Sequence, residues 1–345
     1  MKKSKTFFAC AMLAALASCS NEHELSQQSA EDTPIRIQAN VGGITTRAAS
    51  NIQGTQFDAG GKIGIFLKEH LSSGETNVAN YTNPIEGTVN ATTQTQIDLG
   101  TPQYFPSNGR GVDCLAIYPM KIGLTNIDKN THSFSVEEDQ SDADKYKASD
   151  LMYAYTANTA KKTPIQLTFT HLLSKIIVEV KADASSVNKN VLSDVYVDLL
   201  NTNKTIDITV DDIDQGTLSA VKSVTVVGGT SSDPKTIVMG KPGVNALDDK
   251  KTNEVAAIIV PQTINSTTPF IKVRLNNTPL GTGSDYATYT YTPNANVTFD
   301  GTKSYKYTIT IKAGSISVSN VTIAPWVDDS SSLPGGSGNG DATLD

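Results

Sequence analysis

The segment Pro164–Val180, which reads PIQLTFTHLLSKIIVEV, decides the fold class of this chain. Four side chains of its first half alternate with polar residues: Ile165, Leu167, Phe169 and His171. A period of two predicts a β-strand with one buried face. After the irregularity at Leu172-Leu173, three more residues can continue on one face: Ile176, Val178 and Val180. The segment therefore predicts β-structure at the centre of the chain.

Strand-like segments of the same kind recur on both sides of it. They cover residues 62–67, 96–99, 112–119, 195–200, 205–210, 223–227, 236–239, 255–260, 270–275, 286–291, 304–311 and 315–323. Turn residues separate them, and a spacing of about 8 to 15 residues between strand centres is typical of a β-sandwich. No segment has a convincing helical period, although Lys189 to Leu199 fits either a helix or a strand. With 345 residues, the chain is predicted to be all-β with two domains that meet near residue 162.

The N-terminus has the pattern of a secretory signal. Lys2, Lys3 and Lys5 precede an apolar run from Phe7 to Ala17, which is shorter than the roughly 20 residues of a bilayer span. The run ends in Leu16-Ala17-Ser18-Cys19, which resembles the lipobox of bacterial lipoproteins; the alternative is a plain signal peptide. The resemblance implies that Cys19 is lipidated and anchors the protein to a membrane.

A short strand and an unusual arginine follow this segment. Four apolar residues alternate with polar ones and end at the glycines 42 and 43: Ile35, Ile37, Ala39 and Val41. This pattern predicts a half-buried strand. The connector after it holds Arg47, one of only four arginines in the chain.

The net charge limits the kinds of partner, and the number of cysteines limits the disulfides. The net charge is -7, so the chain would be repelled by phosphate backbones and is not expected to bind nucleic acid. Cys10 leaves with the signal and Cys19 is lipidated, which leaves Cys114 alone and predicts no intrachain disulfide.

The residues of enzymes and metal sites do not form any recognised pattern. The four histidines are scattered, and no nucleophile elbow or phosphate-binding loop is present, so no enzyme, cofactor or metal is predicted. The acidic run Glu137–Asp144 is predicted to be a solvated loop, and Asp211–Gly216 is either a turn or a weak calcium loop. His171 is expected to be a core or rim residue. Trp326 either plugs the bottom of a sandwich or offers a platform for a sugar.

Several segments together resemble the fimbrillins, the lipoprotein-derived pilus subunits of Gram-negative anaerobes. The similar segments are Leu16–Cys19, Thr45-Thr46-Arg47-Ala48, Asp150–Met152 with Leu167–Lys175, and Tyr305–Ile309 with Trp326. The resemblance implies two transthyretin-like β-sandwich domains in tandem. It divides the chain into a signal peptide (1–18), a tether (19–34), an N-terminal domain (35–162) with a removable first strand (35–47), a C-terminal domain (163–327) and a polar tail (328–345).

The resemblance also implies a function. An exported outer-membrane lipoprotein would be cut between Arg47 and Ala48 by an arginine-specific protease at the cell surface. Loss of the first strand would open a groove for a strand from another pilin subunit, so that the subunits assemble into an adhesive fimbria. The alternative is a surface-anchored lipoprotein that binds a glycan or a host protein and never polymerises. Tyr286, Tyr289 and Tyr291 are the candidate platform for that alternative.

Overall fold

The fold is seen in a computed structural model of the chain, which is almost entirely β-structure. It describes residues 33–41, 57–72, 74–76, 78–120, 131–183, 185, 195–210, 224–227, 234–242, 253–276, 286–313, 315–326 and 340–343. The predicted all-β class is confirmed. The tandem transthyretin-like arrangement and the domain limits stay predictions.

Seven strands form a closed barrel in the first half of the chain. They are β1 (Ile37–Val41), β2 (Lys62–Glu69), β3 (Ile85–Val89), β4 (Gln96–Leu99), β5 (Val112–Tyr118), β7 (Met152–Thr159) and β8 (Ile165–His171). Around the barrel the order is β1-β4-β3-β2-β5-β7-β8. The parallel pair of β1 with β8 closes the ladder, and the other neighbours are antiparallel.

The remaining strands form the C-terminal sheets, as we call the sheets outside the barrel. Their strands are β6 (Thr131–Ser135), β9 (Ser174–Ala182), β10 (Val195–Thr202), β11 (Thr205–Val210), β12 (Val224–Val227), β13 (Lys235–Gly240), β14 (Glu254–Ile259), β15 (Gln262–Ile264), β16 (Ile271–Asn276), β17 (Tyr286–Tyr291), β18 (Val297–Phe299), β19 (Lys303–Lys312), β20 (Ser315–Pro325) and β21 (Gly340–Thr343). The sheet orders are β13-β10-β16-β17, β14-β9-β19-β20-β21, β12-β11-β6 and β15-β18.

The two larger C-terminal sheets pack together as a sandwich. Their inward side chains belong to one buried cluster, in which the rings of Tyr291 on β17 and Tyr307 on β19 lie 6.0 Å apart. The barrel has its own core, formed by the inward residues of its seven strands. Each core is made by the period-two alternation that the sequence shows, because successive strand side chains point to opposite faces.

The segment between β5 and β7 differs from the sequence prediction. The run Glu137–Asp144 was predicted to be a solvated loop, but Gln140 is fully buried, and its side chain bonds both the N–H and the carbonyl of Ile258. A short helix, α1 (Ala143–Ala148), begins after Asp142, whose carboxylate accepts from two backbone N–H groups as an N-cap. Tyr146 of this helix is buried in the C-terminal core, so the segment anchors the barrel to the sheets.

Candidate functional site

The first strand of the barrel is the candidate site. Its predicted inward residues are all buried in the barrel core: Ile35, Ile37, Ala39 and Val41. The residues between them, Arg36, Gln38 and Asn40, are exposed. This is the alternation that the sequence predicts, and it makes β1 part of the core.

Backbone hydrogen bonds hold this strand along both of its edges. β1 runs in register with β8 from Ile37↔Ile165 to Val41↔Phe169, and it also pairs with the start of β4. The Ala39 N–H donates to the Thr95 carbonyl at 2.7 Å. The ladder extends upstream of β1, where the Ile35 N–H donates to the Gln103 carbonyl at 2.7 Å. The chain therefore fills a slot that is longer than the strand itself, over residues 33–41.

The slot lies on the side of the barrel away from the C-terminal sheets. On the opposite side, Phe66 of β2 and Leu115 of β5 point outward and belong to the C-terminal core. On the slot side, the outward residues are polar and exposed, and Gln166 donates to Gln38 there at 2.9 Å. The outward face of β1 is thus open to solvent, and β1 can be reached without separating the two cores.

One end of the barrel, which we call the junction end, is covered by the chain itself. Phe57 is buried there, 4.9 Å from the ring of Phe169 and 5.3 Å from that of Tyr118. At the end of β8, the ring of His171 stacks on that of Trp326 with their centres 3.9 Å apart, and the His171 Nδ1 lies 2.8 Å from the Asp150 carboxylate. His171 and Trp326 are both buried, as the core and plug interpretations predict.

The other end, the loop end, consists of residues 33–36, the described residues of the connection 70–84 (70–72, 74–76 and 78–84), and the connections 100–111 and 160–164. Glu69 organises it from a fully buried position. Its carboxylate accepts from the N–H groups of Val78 and Ala79, from Asn108 at 2.6 Å and from Arg110 at 2.8 Å. Burial raises the pKa of Glu69, but these hydrogen bonds outweigh it and hold the pKa below its ordinary value of 4.5.

Three of the four arginines are held in place, two by backbone pairing and one by its side chain. The Arg36 carbonyl accepts from the Ile165 N–H at 2.8 Å, so Arg36 is part of the barrel ladder. Arg110 is fixed by Glu69 and Glu75. Arg274 is in β16, which has a partner strand on each side. Arg47, Ala48 and the lipidation residue Cys19 lie outside the described residues.

The described tyrosines of the alternative binding platform are buried and pack in the core. Tyr289 and Tyr291 of the predicted aromatic platform are buried in the C-terminal core; the side chain of Tyr286 and the acidic segment Asp211–Gly216 lie outside the described part. Among the described residues, no cluster of His, Cys, Asp and Glu could hold a metal ion. In the same part of the chain, no helix is long and apolar enough to span a bilayer.

Comparison with known proteins gives the family. Residues 46–326 match the sequence profile described as fimbrillin-like. The chain belongs to the fimbrillin-like family. No match to this fimbrillin-like chain is found among curated proteins.

Two solved structures of candidate cell adhesion proteins share its fold. The protein from Bacteroides uniformis ATCC 8492 is 22% identical, with 85% of this chain and 98% of that chain covered and a TM-score of 0.56. The protein from Bacteroides ovatus ATCC 8483 is 17% identical, with 86% and 99% covered and a TM-score of 0.59.

Proposed function

We propose that this fimbrillin-like chain is a fimbrial subunit that serves surface adhesion and assembles by strand exchange after proteolytic removal of its first strand. It is exported as a lipoprotein on Cys19, reaches the cell surface through the outer membrane, and is cut between Arg47 and Ala48 by an arginine-specific protease. Other pilin subunits then supply the strand that refills its barrel.

The position of β1 carries this proposal. The strand is inserted between β4 and β8, and its inward side chains fill the barrel core. Burial of Ile35, Ile37 and Val41 contributes about 1.5 to 3 kcal/mol each, with less from Ala39. Removal of β1 would also leave the facing edges of β4 and β8 without hydrogen-bond partners, and open strand edges favour pairing with another chain. A barrel without β1 is therefore an acceptor for a new strand.

The chain topology explains why one cut is enough. β1 lies at the N-terminal side of the barrel, and no described strand precedes it. After a cut at Arg47, the fragment that carries Cys19 and β1 is held only by non-covalent contacts. Its departure would release the subunit from its lipid and open the slot in the same step. Arg36 and Arg274 lie in paired backbone, and the side chain of Arg110 is bound by Glu69 and Glu75. A protease that needs an extended chain and a free arginine side chain should therefore cut poorly at these three, and we propose Arg47 as the site of the cut.

The strand that refills the slot must alternate small or medium apolar side chains with polar ones. The sequence offers Asp341–Asp345 as a short donor, and residues of this segment form β21 at the edge of a C-terminal sheet, where it pairs with β20. A strand with a single partner loses fewer hydrogen bonds on release than one within a ladder. We therefore propose β21 and the residues after it as the donor.

Digestion of the purified precursor with an arginine-specific protease tests the proposal. We expect a new N-terminus at Ala48, followed by ladders of oligomers that are stable in warm detergent. The variant Arg47→Lys should resist the cut and stay monomeric, whereas the matched control Arg36→Lys should behave as the unchanged chain. Chains that are cut at Arg47 and yet remain monomeric would contradict strand exchange.

A further inference from the structure

The loop end of the barrel exposes apolar side chains. Among the described residues, only three large apolar side chains are strongly exposed: Val78 (55%), Tyr104 (44%) and Ile323 (47%). Val78 and Tyr104 both belong to loop-end connections, whereas Ile323 lies in β20. Exposed apolar residues that are gathered at one place mark interaction surfaces more often than isolated ones do.

Hydrogen bonds and ion pairs hold the described residues of the loop that presents Val78. Its backbone N–H donates to the buried Glu69 carboxylate at 2.7 Å, next to the bond from Ala79. Arg110 joins Glu69 to Glu75 of the same loop and also donates to the Thr76 carbonyl at 3.1 Å. A buried carboxylate with four donors fixes the loop before any partner arrives. A preorganised loop loses little conformational entropy on binding.

Tyr104 connects this surface to the slot of β1. Its backbone forms an antiparallel bridge with Pro34, and the Phe105 N–H donates to the Thr33 carbonyl at 2.9 Å. The Tyr81 hydroxyl donates to the Tyr104 carbonyl at 2.8 Å, which joins the loop 70–84 to the same segment. A strand that takes the place of residues 33–41 therefore runs directly past Tyr104 as it leaves the barrel.

At the junction end, by contrast, described residues of the chain cover the barrel. Phe57 closes that end against Phe169 and Tyr118, and the Asp58 carboxylate lies 2.5 Å from Lys147 of α1. The stacked pair of His171 and Trp326 occupies the neighbouring space. Among the described residues, the loop end is therefore the end of the barrel that is left open to the body of a subunit that lends its strand to the slot.

We propose, building on the function proposed above, that the loop end is the docking surface for the body of the neighbouring copy of this chain. Val78, Tyr81 and Tyr104 form this surface, which we call the loop-end platform, and Glu69 and Arg110 hold it in shape. The exchanged strand supplies attachment through the slot. The platform supplies a second contact that sets how successive copies are oriented along the fibre.

The test separates the platform from the slot. The full chain is cut at Arg47 and followed by two measurements: exchange of a labelled synthetic peptide of residues 33–41 into the barrel, and formation of detergent-stable ladders. We expect the variant Val78→Asp, which changes no residue beside the slot, to exchange the peptide within about twofold of the unchanged chain. It should form ladders at least about tenfold more slowly, as for loss of a central contact. The matched control Ile323→Asp changes an equally exposed residue away from the platform and should leave both rates unchanged.

Each result decides between the alternatives. Ladders at the normal rate in Val78→Asp would overturn the platform and leave the slot intact. An equal loss of peptide exchange and ladders would place the effect in the slot, and would also overturn the platform. If the unchanged chain cannot exchange the peptide at all, the function proposed above fails, and the platform fails with it.

Discussion

Glu69 is a fully buried, ionised residue of the barrel. Its carboxylate is fully buried and accepts hydrogen bonds from Val78, Ala79, Asn108 and Arg110. A buried charge is tolerated only when its hydrogen-bonding capacity is filled, and here the donors come from two different connections. The loop end therefore depends on one ionised side chain.

Glu69 should make the stability of the protein depend on pH. Its pKa in the folded protein is below the ordinary value of 4.5, so the unfolded chain binds the proton more readily. The stabilisation is complete above about pH 4.5 and is lost as the pH falls through the lower, folded-state pKa. We expect the free energy of unfolding of the unchanged chain to fall more steeply below pH 4.5 than that of Glu69→Gln. Urea denaturation at several pH values measures this, and equal slopes would contradict it.

Ala39 sets the width of the slot at its centre. It is 3% exposed, and it lies between the larger Ile37 and Val41 on the inward face of β1. Well-packed cores resist added volume, so Ala39→Leu should lower the free energy of unfolding by about 1 to 3 kcal/mol. The neighbouring variant Asn40→Leu adds an apolar side chain on the exposed face and should change it by less than about 0.5 kcal/mol. Similar losses in both variants, measured by urea denaturation, would show that the slot does not select for a small residue there.

For secondary-structure elements, the sequence predicts a strand well where one face is buried and the other is exposed to solvent. The segment 165–171 has the burial pattern that its alternation predicts, and residues 35–41 have the same pattern. The short helix α1 was missed because six residues are too few for a helical period to appear. Strand β3 was also missed, because Gly87 interrupts its apolar pattern. A side chain at Gly87 would lie 2.5 Å from Ile97, so this glycine makes room for β4.

Loss of residues 33–41 should leave a local signature in β8 and in the connection after β4, which both donate hydrogen bonds to this segment. The Ile165 N–H donates to Arg36 and the Phe105 N–H donates to Thr33, so both donors lose their acceptor when residues 33–41 leave. We expect faster amide hydrogen exchange at Ile165 and Phe105 in cut, monomeric chains from which the fragment has been separated. The Leu172 N–H, which donates to Leu151 at the junction end, should keep its protection. Unchanged exchange at Ile165 would mean that another segment has refilled the slot or that β1 never left.

The topology of the whole molecule depends on strand pairs between residues that are far apart in sequence. No local sequence pattern specifies these pairs. The period of two predicts that residues 35–41 form a strand, but not that β1 pairs with β8 in parallel and closes the barrel. The pairing of β6 with β11 joins segments on opposite sides of the predicted boundary at residue 162 in one sheet. Likewise, β8 follows that boundary and still belongs to the barrel. Such contacts depend on the packing of complete faces, which the sequence of one segment does not contain.

The first strand was easier to predict than the topology because it is continuous in sequence. The inward residues of β1 were identified from alternation alone, and the structure places all four of them in the barrel core. The loop-end platform was not predicted, because its residues come from separate connections. In the sequence, Glu69 cannot be told apart from an ordinary exposed residue at the end of a strand. Only the hydrogen bonds of Glu69 in the folded chain reveal that these connections form one surface.

Trp326 can report whether removal of β1 affects the rest of the molecule. It is the only tryptophan, it is 4% exposed, and it is held at the junction end between the stacked His171 ring and the Lys175 ammonium group, 5.6 Å from its ring centre. Trp326 contacts His171 and Lys175, which lie beyond the last pair of β1 with β8 at Val41↔Phe169, so cutting at Arg47 and removing β1 should leave the emission maximum of Trp326 unchanged. His171→Ala removes the stacked ring and should shift the maximum to longer wavelength, which shows that the probe is sensitive. A red shift after loss of β1 alone would mean that the barrel and the C-terminal sheets separate on cleavage. That result would exclude an acceptor barrel that stays fixed to its own C-terminal sheets.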